Sequence, residues 1–218
     1  MSERSESKGV PAVPGRNALI VVDVQQGFDA ASWGETTNKP GAEANVRRLI
    51  HAWEAAEQPV VVVRHDSVSP DSPLRPGWPG NDLKPEARVA APALVIAKTV
   101  NSAFYGTPAL EPWLRVNGIG AITVVGIQTN MCVETTARMA GNLGYDVTVP
   151  LDATRTFDLS TELPDGTTAT LTADELMRAT AINLQAGGFA RVVSTDAAIA
   201  ALAPAPPAAA TGSAAASE

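Results

Sequence analysis

The sequence predicts a three-layer, doubly wound α/β domain, and three observations carry that prediction. Six Val/Ile-rich runs of strand length, bounded by Gly or Pro, recur along the chain. Segments with the 3.6-residue period of a helix lie between them. Most of the runs are continuously Val/Ile-rich rather than alternating, the pattern of strands buried on both faces of a parallel sheet.

The first strand is read over residues 18–23, where four apolar side chains run into Asp23. Val46, Leu49, Ile50 and Trp53 then fall at i, i+3, i+4 and i+7, which makes one apolar face of a helix. A second strand is read over residues 60–64. The Pro- and Gly-rich segment that follows, about 66–92 with Trp78 in it, has neither period, and a loop of that length is expected to wall a pocket or touch another subunit. The third strand, 93–97, closes on Lys98. Thr107-Pro108 offers a cap and first-turn proline for a helix that stops at Asn117-Gly118. After the fourth strand, 121–126, Thr129 is read as the cap of a helix that carries Cys132, Thr136, Met139 and Leu143 on one stripe. The fifth strand spans 146–150. Thr172 and Glu175 have capping-box spacing, and their helix ends at Gly187-Gly188 before a sixth strand at 190–193. This βαβ alternation gives a mostly parallel, six-stranded, Rossmann-like sheet with helices on both faces.

Length and composition narrow the function. The 218 residues are read as one domain, 16–202, between a polar tail at 1–15 and an Ala/Pro-rich tail at 203–218, both expected to be disordered. With 45% apolar and 18% charged residues and no apolar run of membrane length, neither a wholly disordered chain nor a membrane protein is expected. A net charge of −7 argues against nucleic acid or anionic lipid as a partner and is compatible with a cationic small substrate. Cys132 is the single cysteine, so no intramolecular disulfide forms, and the N-terminus lacks a signal-peptide pattern. A cytoplasmic location is expected.

In a doubly wound sheet, ligands bind beyond the carboxyl ends of the strands, where the strand order reverses. Asp23, Lys98 and Cys132 all fall just past such ends. Singly, each has a plain structural reading: a turn cap, a snorkelling surface lysine, a small core residue. As a set they supply a base, a cation and a nucleophile, the parts of acyl transfer. A cysteine in the first turn of a helix is expected to have a lowered pKa, and the amides there could bind an oxyanion.

The segments 19–28 (LIVVDVQQGF), 98–104 (KTVNSAF) and 126–133 (GIQTNMCV) resemble the isochorismatase-like cysteine hydrolase superfamily, over residues from about 16 to 200. The resemblance implies an Asp23-Lys98-Cys132 triad and a cis peptide at Ile127-Gln128. It also implies an oxyanion hole from the amides of Gln128 and Cys132, and pocket-lining roles for Gln25, Phe28, Phe104 and Tyr105. His65 is read as a pocket-wall residue able to touch substrate. Nicotinamidases of this superfamily hold a metal through an aspartate and several histidines. Here only His65 lies at the sheet edge, and His51 lies within a helix, so no metal or other cofactor is expected. The segments 126–138 and 152–158 are most similar to streptothricin hydrolases. That likeness implies a small amide or lactam substrate, cationic in character, with Asp66, Asp71, Asp158 or Glu162 to receive its charge. Carbamoylsarcosine amidase-like and nicotinamidase-like hydrolysis, and a non-catalytic binding protein on the same fold, stay open. Family resemblance also implies a homo-oligomer.

Overall fold

The computed structural model describes residues 15–89 and 91–202; the expected tails, Gly15 apart, lie outside them. The chain runs β1 (Asn17–Val22), α1 (Gly41–Ala55), β2 (Val60–His65), β3 (Leu94–Lys98), α2 (Leu110–Val116), β4 (Ala121–Ile127), α3 (Glu134–Asn142), β5 (Asp146–Pro150), β6 (Thr154–Arg155), β7 (Leu159–Glu162), β8 (Thr168–Leu171), α4 (Ala173–Ala186), β9 (Arg191–Val193) and α5 (Thr195–Ala200). The main sheet has the order β3-β2-β1-β4-β5-β9, with β6 added on β4. Every pairing in it is parallel. Its six long strands coincide with the six apolar runs.

Period-two alternation in β1 divides the core. Ala18, Ile20 and Val22 join Leu110, Leu114, Val133, Ala137, Ala140 and Leu184, the layer of α2, α3 and α4. Leu19 and Val21 join Val46, Leu49, Ile50, Trp53 and Ala198, the layer of α1 and α5. Burying both faces is what makes the central strand β1 apolar from Ala18 to Val22. Among the described residues no helix is long and apolar enough to cross a membrane.

Local readings fare unevenly. Thr172 and Glu175 form both bonds of the capping box, and α4 ends at Gly187. Thr107 and Pro108 do not start α2. Its N-cap is Ala109, which has no capping side chain, because the backbone of Thr107 exchanges both hydrogen bonds with Ala97 at the edge of β3. Thr129 likewise is no cap: Gln128 holds that position, residues 129–133 form a π-helical turn, and the Thr129 hydroxyl donates to Thr154. The sequence reading also lacks β6 and the β7-β8 hairpin, whose four-residue strands are exposed at almost every position and leave no apolar pattern.

Candidate active site

Between β1 and β4 the strand order reverses, and Asp23 and the Cys132 turn leave the sheet at those two ends. The strands approach so closely there that a Cβ on Gly126 (φ +124°) would lie 1.9 Å from the Val22 carbonyl oxygen. Only glycine fits. Asp23 turns out of β1 with φ +53°, a conformation aspartate tolerates better than most residues. Lys98 ends β3, two strands from β1, a gap of about 10 Å at the usual strand spacing. Its four-carbon stem bridges that gap.

The three side chains meet out of solvent. Lys98 Nζ donates to Asp23 Oδ2 at 2.6 Å and to Cys132 Sγ at 3.4 Å. Both partners of the ion pair have fully buried side chains. Asp23 Oδ1 is buried with no hydrogen-bond partner. Burial pushes the Asp23 carboxyl above the usual range, against the pull of the Lys98 ammonium. Burial, with the Asp23 charge beside it, pushes the Cys132 thiol up to about 12. That overturns the expected low thiol pKa: desolvation and a neighbouring carboxylate outweigh any benefit of the helix start. The arrangement favours a neutral thiol, because burial and the neighbouring Asp23 both work against a thiolate there.

The other predicted site residues divide into scaffold and wall. Gln25 is buried with its amide engaged by backbone: Oε1 accepts from His65 N at 2.9 Å, and Nε2 donates to the carbonyls of Asn81 (2.8 Å) and His65 (3.1 Å). It pins the long loop and the end of β2 rather than facing a substrate. Phe28 is buried among Trp33, Phe157, Leu74 and Ile127. Phe104 packs in the core with its ring 6.2 Å from Tyr145, whereas Tyr105 is 72% exposed. His65 Nδ1 lies 3.1 Å from Lys98 Nζ. The Ile127-Gln128 peptide is cis, as the family likeness implied, and Gln128 and Cys132 are both buried.

Of the four acids named to receive a cation, Asp71 and Glu162 are exposed, and Asp66 and Asp158 are engaged elsewhere. Arg64 donates to both oxygens of Asp66, and Asp158 accepts from the amide of Ala173 at the start of α4. Sequence reasoning passed over Asn101, whose side-chain oxygen lies 3.7 Å from Cys132 Sγ. Its position three residues after Lys98 was the available signal. It also missed the buried ion network behind Phe28, in which Arg155 and Lys84 each bridge Asp29 and Glu43. These partners lie far apart in sequence and have no shared spacing.

A histidine-rich metal site does not fit. His51 is an exposed residue of α1 beside Glu54, which leaves His65 alone at the sheet edge. Asp23, His65 and Cys132 do bring one oxygen, one nitrogen and one sulfur within 4.8 Å of one another, a zinc-like donor set. The Lys98 ammonium stands within hydrogen-bonding reach of all three, so their negative field already faces a cation. A wide depression of about 680 Å³ beside α4, lined by Thr37, Asn38, Met177 and Arg178 among others, includes none of the triad residues.

Comparison with known proteins identifies the family. The isochorismatase domain matches residues 17–197. Nicotinamidase 3 of Arabidopsis thaliana is 32% identical over 192 residues, covering 82% of this chain and 85% of that protein. Streptothricin hydrolase of Streptomyces noursei is 33% identical over 144 residues, 65% of this chain, which spans only about half (55%) of that longer protein. Among solved structures, an isochorismatase-family protein from Chromobacterium violaceum superposes with a TM-score of 0.78 at 39% identity, covering 90% of this chain and 98% of that one. A domain match over most of its length, with the fold to go with it, places this chain in the isochorismatase family of hydrolases.

Proposed function

We propose that the protein is a cysteine-dependent amidohydrolase that cleaves a C–N bond of a small amide or lactam through Asp23, Lys98 and Cys132. The observation that carries this reading is the Lys98 ammonium set between a buried carboxylate and a buried thiol. Asp23 takes the thiol proton as Cys132 Sγ attacks the carbonyl carbon, and Lys98 holds the local charge in balance. The amides of Gln128 and Cys132 bind the oxyanion. Collapse of the tetrahedral intermediate breaks the C–N bond, and Asp23 returns its proton to the leaving nitrogen. Water, deprotonated by Asp23, then attacks the thioester and releases the acid, and the proton goes back to Cys132. The sum is amide plus water giving acid plus amine.

For the substrate we propose the lactam of a streptothricin-type cationic antibiotic, an antibiotic-resistance role. The likeness of segments 126–138 and 152–158 and the Streptomyces noursei relative support it. A second reading, nicotinamide, is favoured by the Arabidopsis relative's coverage of 82% of the chain. The absence of a histidine cluster at the sheet edge weighs against it. The test is hydrolysis of the lactam, nicotinamide and N-carbamoylsarcosine without added metal, with Cys132→Ser as control. Lactam opening that vanishes in the variant supports the proposal; turnover that survives Cys132→Ser defeats it.

A further inference from the structure

Lysine's ammonium has three N–H donors, and buried donors need acceptors. Two of the three on Lys98 go to Asp23 and Cys132, and the third contact is His65 Nδ1 at 3.1 Å. We propose that His65 is a positioning residue of the triad, its Nδ1 accepting the third hydrogen bond of Lys98 and so holding the ammonium between Asp23 and Cys132. This rests on the hydrolase reading above and adds to it a fourth side chain that acts through Lys98 rather than on substrate.

Three observations favour the assignment. His65 and Lys98 are register partners at the ends of β2 and β3, so their side chains leave the same face of the sheet. The His65 backbone is fixed at both of its polar groups: its N–H donates to Gln25, and its carbonyl accepts from Gln25 and Asn81. Its imidazole is held neutral, with its pKa lowered to about 4 by burial and by the Lys98 charge. The groups facing it are Asp23 on β1, Lys98 on β3, Cys132 on the turn and, next in its own chain, Asp66, which Arg64 already pairs. With Nδ1 an acceptor, the ring proton must lie on Nε2. Without that acceptor the ammonium keeps a short bond to the carboxylate and a long one to the sulfur, and can settle toward Asp23, away from Cys132.

The test combines spectroscopy with reactivity in the full-length protein. Nitrogen-15 spectra, with His51→Gln to leave one histidine, are expected to show His65 as the neutral Nε2–H tautomer titrating near 4, and Lys98→Met to raise that titration. Iodoacetamide alkylation of Cys132 is expected to slow about 10- to 100-fold in His65→Ala and to recover largely in His65→Asn, whose amide oxygen can stand where Nδ1 stood. An Nδ1–H tautomer, a titration indifferent to Lys98→Met, or alkylation unaltered by His65→Ala overturns the proposal. If Lys98→Met itself leaves alkylation unchanged, the triad reading fails. If Lys98→Met slows it and His65→Ala does not, only the positioning role fails.

Discussion

Replacing Lys98 by Met keeps the apolar stem and removes only the ammonium. Asp23 is then left with a fully buried side chain, one oxygen already without a partner and the other deprived of its 2.6 Å bond. Removing one member of a buried ion pair costs about 3–5 kcal/mol while the other stays charged. Asp23 can escape that cost by binding a proton. Its titration then moves up beyond its already raised position. A carboxyl with a raised folded pKa gives stability that is complete below the unfolded value of 3.8 and is lost as pH rises through the folded value. The gap between wild type and Lys98→Met is therefore flat at acid pH, where both hold the proton. It widens by about 1.4 kcal/mol per unit above the wild-type titration and levels off near about 3–5 kcal/mol. Urea unfolding from about pH 4 to about pH 9 measures the gap, and Asp23→Asn/Lys98→Met is expected to close most of it. A gap independent of pH, or a plateau under about 1 kcal/mol, refutes the reasoning.

Other parts of the structure give further expectations. Gly126→Ala sets a methyl 1.9 Å from the Val22 carbonyl oxygen and strains a φ of +124°; we expect a loss of about 3 kcal/mol or more and a slower Cys132, read by urea unfolding and alkylation. Arg155→Met leaves Glu43 dependent on Lys84, and Asp29 on Lys84 and Lys39, so a loss near the lower end of about 3–5 kcal/mol is expected. Burial works against ionisation of Asp29 and Glu43, yet hydrogen bonds from Lys84 and Arg155, with Lys39 added for Asp29, hold both carboxyls below the usual range. Their share of stability is present above the unfolded pKa and goes as pH falls through the folded one, so Arg155→Met should narrow the difference between neutral and strongly acid pH in urea midpoints. His65 binds protons more readily unfolded than folded, so stability falls as pH drops from 6.5 toward about 4. His65→Asn should remove that part of the decline, and an unchanged slope counts against a neutral, buried imidazole.

Much of the fold was legible because burial on both faces leaves an unmistakable mark: strands such as residues 60–63, four valines in succession, have few other homes. Asp23 and Lys98 were legible because each sits where an apolar run stops, and Cys132 because it lies in the turn that follows the fourth run. What escaped depends on distance in sequence. The engagement of Gln25 by the backbone of His65 and Asn81 follows from where the long loop folds back. Nothing about a glutamine after a strand announces it. Likewise Thr107-Pro108 has the composition of a helix start, but the edge of β3 offers Thr107 two backbone bonds, and that tertiary pairing wins. The ionisation of Cys132 was misjudged for a related reason. Position at a helix start can be read from sequence; the depth of burial and the carboxylate facing the sulfur cannot.

The central claim is that Asp23 generates the Cys132 nucleophile within a buried, ammonium-bridged site. The direct test is the rate of Cys132 alkylation against pH in the wild type and in Asp23→Asn. A wild-type rate is expected that climbs as Asp23 loses its proton and levels off above that titration. In Asp23→Asn the rate is expected to lack that plateau, to lie about a hundredfold or more below it, and to rise tenfold per pH unit toward the alkaline range. Superimposable profiles for the two proteins would contradict it.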